Sequence, residues 1–364
     1  MHEVRRGNFL QRVSPRRSPE EFESWIAYGA RVNSVVFRRG AACCARCGSF
    51  AIARIKMRVR SKIIRPIQCQ QDLFSNEALI RHHFATPRGS SIDLIMEDCF
   101  VGMDRMPAGS ADVVVTSPPY NIGVKYGVYD DRICREAYLD WLEKWGACVS
   151  RVLSRHGSFF LNIGGKPKDP WGPMEAAFRL RSHFCLQNTI HWVKSIAIER
   201  SSNGDDHGLY EDVNVGHIKP INSRRYVSDA HEYIFHFTKH GDVELDRKAI
   251  GVPYKHKSNI TRWKSAGSDV RCRGNAWFIP YKTIVSRDRQ RPHPATFPPR
   301  LAEMCIRLHG LGKARLVLDP FMGLGNTAVA CVNLNVPFVG FEIDPEYFET
   351  CRTNVERALQ KAKG

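Results

Sequence analysis

Residues Val113–Gly123 read VVVTSPPYNIG, a β-branched run that stops at two prolines. A short apolar run of this kind is typical of a buried strand. Proline lacks an N–H and fixes φ, so Pro118 and Pro119 end the strand rigidly. Ligands bind at the carboxyl ends of the strands in open α/β sheets. We therefore expect Ser117, the Ser117 and Pro118 carbonyls and the Tyr120 ring to project from a stiff ledge at a binding site.

The segments around this stretch alternate between strand and helix patterns. Tyr138–Leu153 carries apolar residues at helical spacing and is predicted to be a helix that closes at His156 and Gly157. Two more helices are expected over PWGPMEAAFRLRSHF and PPRLAEMCIRLHG, and strands over SIDLIMEDC, SFFLNIG, LQNTIHWVK and AHEYIFHFTK. The alternation predicts an α/β fold with a mostly parallel central sheet covered by helices on both faces.

A second informative stretch is LVLDPFMGLGNT, an apolar strand followed at once by a glycine loop and a helix. Gly323 and Gly325 permit a tight turn and a close backbone approach to a ligand, and the helix start presents free N–H groups. Glu342 ends the next predicted strand, FVGFE, where a carboxylate can bind ribose hydroxyls. The pattern indicates a site for a nucleoside cofactor, although a plain strand–turn–helix without a ligand is the simpler alternative.

A nicotinamide dinucleotide is the competing cofactor, because a GxG loop alone is a weak signal. The third glycine of the dinucleotide fingerprint is missing here, since the loop reads GLGNT. Asp319 at the strand end would repel a pyrophosphate but suits a cationic ligand. S-adenosylmethionine carries a sulfonium and an ammonium and no phosphate, so it is the cofactor that the loop favours.

Together these motifs resemble a known family. DPFMGLGNT followed by GFEID is similar to the cofactor motif of S-adenosylmethionine-dependent DNA amino-methyltransferases, and TSPPYN resembles their catalytic (D/N/S)PP(Y/F) motif. The catalytic motif precedes the glycine loop, an order that resembles the β group of bacterial restriction–modification methyltransferases. HPATFPPRLAEMCIR and GHIKPINSRRYVSDAHEYIFHFTK resemble further blocks, the latter of cytosine-N4 members. The resemblance spans about Ile92 to Val355.

The resemblance implies a Rossmann-like methyltransferase fold and a set of site residues. Ser117, Pro118, Pro119 and Tyr120 would form the catalytic motif, with acceptors on the target amine and the Tyr120 ring stacked on the base. Asp98 would lie near the cofactor adenine and Glu342 on the ribose. The remaining cofactor-binding positions, towards the methionine end, would be His293, Asp319, Phe321, Gly323 and Gly325.

The chemistry of an aromatic amine agrees with this assignment. Its lone pair is delocalised into the ring, and acceptors around the N–H protons can direct that pair towards a sulfonium methyl. The transfer is direct, so no catalytic cysteine or metal is expected. An amine inside a duplex must be flipped out, at a cost of a few kcal/mol that stacking offsets by about 1–3 kcal/mol. Ser117 stands where most adenine-N6 members have aspartate, which favours cytosine-N4 over adenine-N6.

The chain is predicted to have four regions. These are a basic, poorly ordered extension (1–90), a catalytic half with SPPY (91–238), a target-recognition region (239–291) and a cofactor half (292–364). The third region contains candidate contacts to phosphates and guanine edges: Lys255, Lys257, Arg262, Lys264, Arg271, Arg273, Arg287, Arg289 and Arg291. Tyr254 and Trp263 could wedge or stack. A solvated basic surface is the alternative for each of them.

Composition sets further expectations. The net charge of +17 favours a polyanionic partner such as double-stranded DNA, and residues 1–90 carry 17 basic and six acidic side chains. The basic segment has three alternative interpretations. It is a DNA-binding arm, a targeting segment, or an upstream extension without a folded role. No apolar run of about 18 residues predicts a membrane span, and no secretory signal is evident. The scattered cysteines fit the reducing cytoplasm, with nucleoid association expected; Cys44-x2-Cys47 lacks a second pair for zinc.

Three competing functions stay open. RNA is a second candidate substrate on charge alone. Protein-glutamine methyltransferases share the PPY motif but place the glycine loop first. An inactive DNA-binding relic of the family is the non-enzyme alternative, against which the intact motifs speak. A cognate restriction endonuclease is a candidate partner.

Overall fold

The computed structural model describes residues 80–123, 131–199, 211–216, 221–262, 268–280 and 296–363. Phe74–Gly364 form one compact unit. The strands are β1 (Ile80–Ala85), β2 (Ser91–Met96), β3 (Ala111–Thr116), β4 (Leu153–Ile163), β5 (Cys185–Val193), β6 (Ser195–Ile198), β7 (Val213–Gly216), β8 (His231–Thr238), β9 (Ala276–Phe278), β10 (Val317–Asp319) and β11 (Phe338–Glu342). The helices are α1 (Cys99–Arg105), α2 (Arg135–Val152), α3 (Gly172–Leu180), α4 (Asn259–Arg262), α5 (Pro299–His309), α6 (Asn326–Leu334) and α7 (Pro345–Lys363).

Nine of these strands form one sheet in the order β1-β2-β11-β10-β3-β4-β8-β5-β9. The central strands pair in parallel from β2 through β11, β10 and β3 to β4, and β9 pairs in parallel with β5. β8 is antiparallel to both β4 and β5, and β1 is antiparallel to β2. The mostly parallel α/β sheet that the sequence predicted is therefore confirmed.

Both faces of the sheet are buried, which explains the continuous apolar run of β3. Val113 and Val115 point into the hydrophobic cluster covered by α5, α6 and α7. Val114 points into the opposite cluster, which α1, α2 and α3 cover. A strand with two buried faces needs apolar residues at successive positions rather than at alternate ones. β3 is thus held from both sides close to the place where SPPY begins.

The end of α2 differs from the sequence expectation. The helix is confirmed, but it ends at Val152 and β4 begins at once with Leu153. His156 and Gly157 lie inside β4 rather than closing the helix. A Cβ atom on Gly157 would lie 2.6 Å from the Leu153 side chain and 3.1 Å from the Asp112 carbonyl. This glycine is required because β4 approaches its neighbours closely, and not because a helix ends there.

The predicted region boundary at residue 90 also differs from the sheet. β1 begins at Ile80, inside the segment expected to be a poorly ordered extension up to residue 90, and pairs with β2 along its whole length. Arg81 forms an ion pair with Asp93 across this pair. The sheet therefore starts before Ser91. Residues 1–79, with the DNA-arm, targeting and Cys44–Cys47 hypotheses, lie outside the described residues.

The predicted target-recognition region contributes to the sheet as well. β9 forms its edge, and Trp277 in the middle of β9 is completely buried. The indole of Trp277 donates to the Gly274 carbonyl. Because Trp277 is a core residue, the segment from residue 239 to 291 is only partly a separate surface region.

Candidate active site and cofactor site

The SPPY segment forms a fixed ledge at the carboxyl end of β3. Ser117 and Pro119 are partly buried, and Pro118 is buried. The Tyr138 hydroxyl of α2 donates to the Pro119 carbonyl at 2.9 Å. The prolines are therefore held by their own rings and by a neighbouring helix, as the sequence predicted for a rigid stop.

A buried aspartate holds the turn that follows the ledge. Asp131 is 1% exposed, and its two carboxylate oxygens accept from the backbone N–H groups of Asn121 and Ile122 at 2.6 and 2.9 Å. Asn121 adopts a left-handed conformation with φ 55°, which asparagine tolerates better than most residues. Its side chain exchanges two hydrogen bonds with the Ile133 backbone. The chain thus turns back sharply after Tyr120.

Tyr120 lies in a polar network that sequence reasoning did not find. Its hydroxyl is 2.7 Å from Ser117 Oγ, accepts from Asn162 Nδ2 at 2.7 Å and donates to Glu232 Oε2 at 3.2 Å. Asn162 Nδ2 also donates to Glu232 Oε2 at 2.8 Å. Lys194 Nζ lies 3.1 Å from Glu232 Oε1. An acid, an amide and a cation therefore lie behind SPPY.

These partners come from three other strand ends. Asn162 lies near the carboxyl end of β4, Lys194 follows β5, and Glu232 is the second residue of β8. Because β8 runs antiparallel to β4, its beginning lies at the carboxyl edge of β4. The sequence offered one signal, the block with AHEYIFHFTK that resembles cytosine-N4 members, but nothing in its spacing placed Glu232 beside Tyr120.

The Tyr120 ring packs closely on the backbone of Gly164, the residue that follows β4. It is 9% exposed, and a Cβ atom on Gly164 would lie 3.2 Å from Tyr120 Cε2. The same Cβ atom would lie 3.1 Å from the Glu232 side chain. Gly164 therefore leaves the space in which both side chains fit.

The glycine loop lies at the carboxyl end of β10, next to β3. Gly323 and Gly325 have positive φ values of 50° and 79°, and Gly325 is the N-cap of α6. A Cβ atom on Gly325 would lie 2.4 Å from the Cys351 sulfur. Both glycines are thus required by the turn, as predicted.

Glu342 ends β11 beside this loop. Its Oε2 accepts from the Gly323 N–H at 2.8 Å, and its Oε1 accepts from the Asp344 N–H at 2.9 Å. Burial raises the pKa of Glu342 to about 7, although the two backbone hydrogen bonds act in the opposite direction. Each carboxylate oxygen has a further lone pair with which to accept from a hydroxyl.

Asp319 connects the glycine loop to β3. The residue is 1% exposed, and Oδ1 accepts from Thr116 Oγ1 at 2.7 Å and from the Phe321 N–H at 3.1 Å. Oδ2 accepts from Thr327 Oγ1 at 2.6 Å. Burial raises the pKa of Asp319 to about 6. Its carboxylate was expected to face a cationic ligand, but the structure uses it inside the protein, as a bridge between the residue before Ser117 and the loop.

The structure places the other predicted cofactor residues as follows. Asp98 follows β2 and caps α1 by accepting from the Phe100 and Val101 N–H groups. The preceding residue, Glu97, donates its N–H to the Glu342 carbonyl, so Asp98 lies at the same sheet edge as Glu342. The Phe321 ring packs on Trp141 and Trp145 of α2. His293 lies outside the described residues.

These groups fit S-adenosylmethionine. The loop and helix from Val317 to Leu334 contain no lysine or arginine, so they offer no side-chain cation to a pyrophosphate. Glu342 offers acceptors for ribose hydroxyls, and the polar backbone of the glycine loop lies beside it. The described residues contain no cluster of three or more side chains that could hold a metal ion. Within the same residues, no helix has the length and apolar character of a membrane span.

The basic side chains of the predicted target-recognition region divide into two groups. Lys257 forms an ion pair with Asp269, and Arg273 donates to the Ile250 carbonyl at 2.9 Å. Lys255, Arg262 and Arg271 are exposed. Trp263, Lys264, Arg287, Arg289 and Arg291 lie outside the described residues.

The fold and the site define a class of α/β methyltransferase that uses S-adenosylmethionine as its cofactor. Residues 111–353 match the N6/N4 methyltransferase family, described as DNA methylase, and the chain belongs to this family. The match includes SPPY, the glycine loop and Glu342. The chain is thus a DNA methyltransferase.

Individual relatives agree with the family. The chain is 27% identical to the type II methyltransferase M.HpaI of Haemophilus parainfluenzae over 72% of this chain and 74% of the relative. It is 24% identical to the DNA adenine methyltransferase YhdJ of Escherichia coli, over 77% and 84% of the two chains. The PvuII DNA methyltransferase (cytosine-N4-specific) superposes with a TM-score of 0.51 at 17% identity, covering 77% of this chain and 96% of that structure, which supports the fold.

Proposed function

We propose that this protein transfers the methyl group of S-adenosylmethionine to the exocyclic N4 amine of a flipped-out cytosine at specific sites in double-stranded DNA. The observation that supports it most directly is the hydrogen bond between Thr116 and Asp319. That bond fixes the start of the catalytic motif against the cofactor loop. An amine held at Ser117 would therefore lie next to a methyl donor held at the loop.

The residues of the ledge would bind and orient the target amine. The Ser117 hydroxyl and the Pro118 carbonyl would accept its N–H hydrogens and direct the nitrogen lone pair outwards. The Tyr120 ring would stack on the base. S-adenosylmethionine supplies an electrophilic methyl group on a sulfonium. Glu342 would hold the ribose, Asp98 would lie near the adenine, and the backbone at Gly323 and Gly325 would lie near the methionine end.

Cytosine-N4 is preferred because Ser117 replaces the aspartate of most adenine-N6 enzymes. A neutral hydroxyl accepts a hydrogen bond but is a poor base at neutral pH. Adenine-N6 is the second candidate, which the relationship to a DNA adenine methyltransferase favours. An inactive relic is the third. The order of the motifs further supports a place in the β group, and the names of the type II relatives support a role with a cognate restriction endonuclease.

DNA recognition is proposed for the exposed basic side chains between residues 239 and 291. Lys255 and Arg262 are exposed and available to contact phosphates or bases. Lys257, Arg271 and Arg273 are less suited to this task, since each has a partner within the protein.

Nucleoside mass spectrometry tests the proposed function. The chain is expressed in a host that lacks DNA methyltransferases, and its DNA is digested to nucleosides. We expect N4-methylcytosine from the wild type and none from Ser117→Ala. N6-methyladenine would show that the serine does not select cytosine. Absence of both marks, with folded protein that binds S-adenosylmethionine, would contradict DNA methylation.

A further inference from the structure

The carboxylate of Glu232 lies two hydrogen bonds behind Ser117. Ser117 Oγ is 2.7 Å from the Tyr120 hydroxyl, and that hydroxyl is 3.2 Å from Glu232 Oε2. These groups form an unbroken chain from the residue that would touch the target amine to an acid on a different strand. The catalytic motif itself carries no acid, because its first residue is serine.

Two groups set the directions of the hydrogen bonds in this chain: the Glu232 carboxylate, which only accepts, and the Asn162 amide nitrogen. An amide nitrogen can only donate, and Nδ2 donates to both the Tyr120 oxygen and Glu232 Oε2. The Tyr120 hydroxyl donates to the Glu232 carboxylate. With its one proton given to the carboxylate, the Tyr120 oxygen accepts from the Ser117 hydroxyl. This leaves the lone pairs of Ser117 Oγ free to accept from a substrate N–H. All donors thus point towards Glu232.

The methylated amine must lose a proton, and Ser117 alone cannot keep it. We propose that Glu232 is the final acceptor of that proton, which reaches it through Ser117 and Tyr120. This inference rests on the proposed amino-methyl transfer and names the acid that the SPPY motif lacks. Glu232 is a positioning and relay residue because it would not contact the amine, whereas Tyr120 would relay the proton with its hydroxyl and stack on the base with its ring.

The proposed step balances in atoms and charge. The nitrogen lone pair forms the new N–C bond while the S–C bond breaks, and the electron pair of that bond stays on sulfur. The nitrogen is then positively charged and strongly acidic. Its proton passes to Ser117 Oγ as the serine proton passes to Tyr120 and the tyrosine proton passes to Glu232 Oε2. The product amine is neutral, and Glu232 is restored by loss of its proton to water.

Lys194 and solvent complete the arrangement. Lys194 Nζ is 3.1 Å from Oε1, the oxygen that does not contact Tyr120, and it stabilises the negative charge of Glu232 between turnovers. The Glu232 side chain is 18% exposed, so water can reach it after transfer. A carboxylate is a sufficient acceptor for a methylated, positively charged amine.

A purely structural role for Glu232 predicts a different result from a relay. Glu232→Gln keeps the length and a hydrogen-bond acceptor for Tyr120 but is not basic. Glu232→Asp keeps the carboxylate but is one methylene shorter. If Glu232 only holds Tyr120, the Gln variant should be the more active of the two. If Glu232 takes the proton, the Asp variant should be the more active.

The measurement is the single-turnover rate of methyl transfer from radiolabelled S-adenosylmethionine to genomic DNA of a host without DNA methyltransferases. We expect Glu232→Gln to lower this rate by about 10²-fold, with KM for DNA and the cofactor affinity unchanged, and Glu232→Asp to restore part of it. Tyr120→Phe keeps the ring and removes the relay hydroxyl, so it should lower the rate by a similar factor. This variant tests the relay independently if the Glu232 variants fail to fold.

Glu303→Gln is the matched control. Its side chain is 16% exposed, pairs with Arg300 and accepts from Asn333 Nδ2, so it resembles Glu232 in burial and partners. Its substitution should leave the rate unchanged. Wild-type rates in folded Tyr120→Phe, or a Gln variant more active than the Asp variant, would overturn the relay while leaving the proposed function intact. A wild-type protein that methylates no DNA would instead overturn the proposed function.

Discussion

Cofactor affinity should depend on pH through Glu342. On the proposed assignment, the ionised carboxylate would accept from both ribose hydroxyls, whereas the protonated form would have lost part of its acceptor capacity. With a pKa of about 7, Glu342 is ionised to about 9% at pH 6 and about 91% at pH 8. The affinity for S-adenosylmethionine should therefore rise about tenfold between these pH values.

Isothermal calorimetry of the wild type and Glu342→Gln measures this effect. Charge-assisted hydrogen bonds contribute about 1.5–3 kcal/mol each, so the variant should bind roughly ten- to hundredfold more weakly at pH 8. Its affinity should lack the rise from pH 6 to 8. The amino group of the cofactor titrates at about 7.7–8.0, and the variant reports that contribution separately.

The comparison between the two proteins decides the outcome. The ratio of wild-type to variant affinity should grow by about tenfold from pH 6 to pH 8. An equal ratio at both values would refute the assignment of the titrating group to Glu342. An unchanged affinity in the variant at pH 8 would refute its contact with the ribose.

Two further predictions concern the loop. Asp319→Asn should remove a pH-dependent part of the stability. The raised pKa of about 6 means that the wild type loses stability as the pH rises, by about 1 kcal/mol more than the variant between pH 5 and 8 in urea unfolding. An identical change in both proteins would contradict this. Gly325→Ala should destabilise the protein by about 2–4 kcal/mol, because φ is 79° and the Cβ atom would overlap a cysteine sulfur. Gly312→Ala meets nothing within 4 Å and should be nearly neutral, so equal melting temperatures of the two variants would contradict the steric argument.

Local sequence determined most of the framework and one half of the site. The apolar pattern of each element reports which of its faces are buried. β3 is apolar at successive positions because both of its faces are covered, and α2 is apolar at helical spacing because one of its faces is covered. The prolines of SPPY and the positive φ angles at Gly323 and Gly325 follow from the same local constraints. These features depend on the backbone and the immediate neighbours, so they are visible in the sequence.

Only the tertiary structure decided what the polar side chains do. Asp319 was expected to face a cation, but Thr116, distant in sequence, uses its carboxylate inside the protein. Glu232 and Asn162 meet at Tyr120 because β8 runs antiparallel to β4, and no spacing in the sequence encodes that direction. Hydrogen-bond partners depend on distances of a few tenths of an ångström between remote strands. The sequence therefore identified the ledge and the cofactor loop, whereas the contacts between them emerged only when the sheet was assembled.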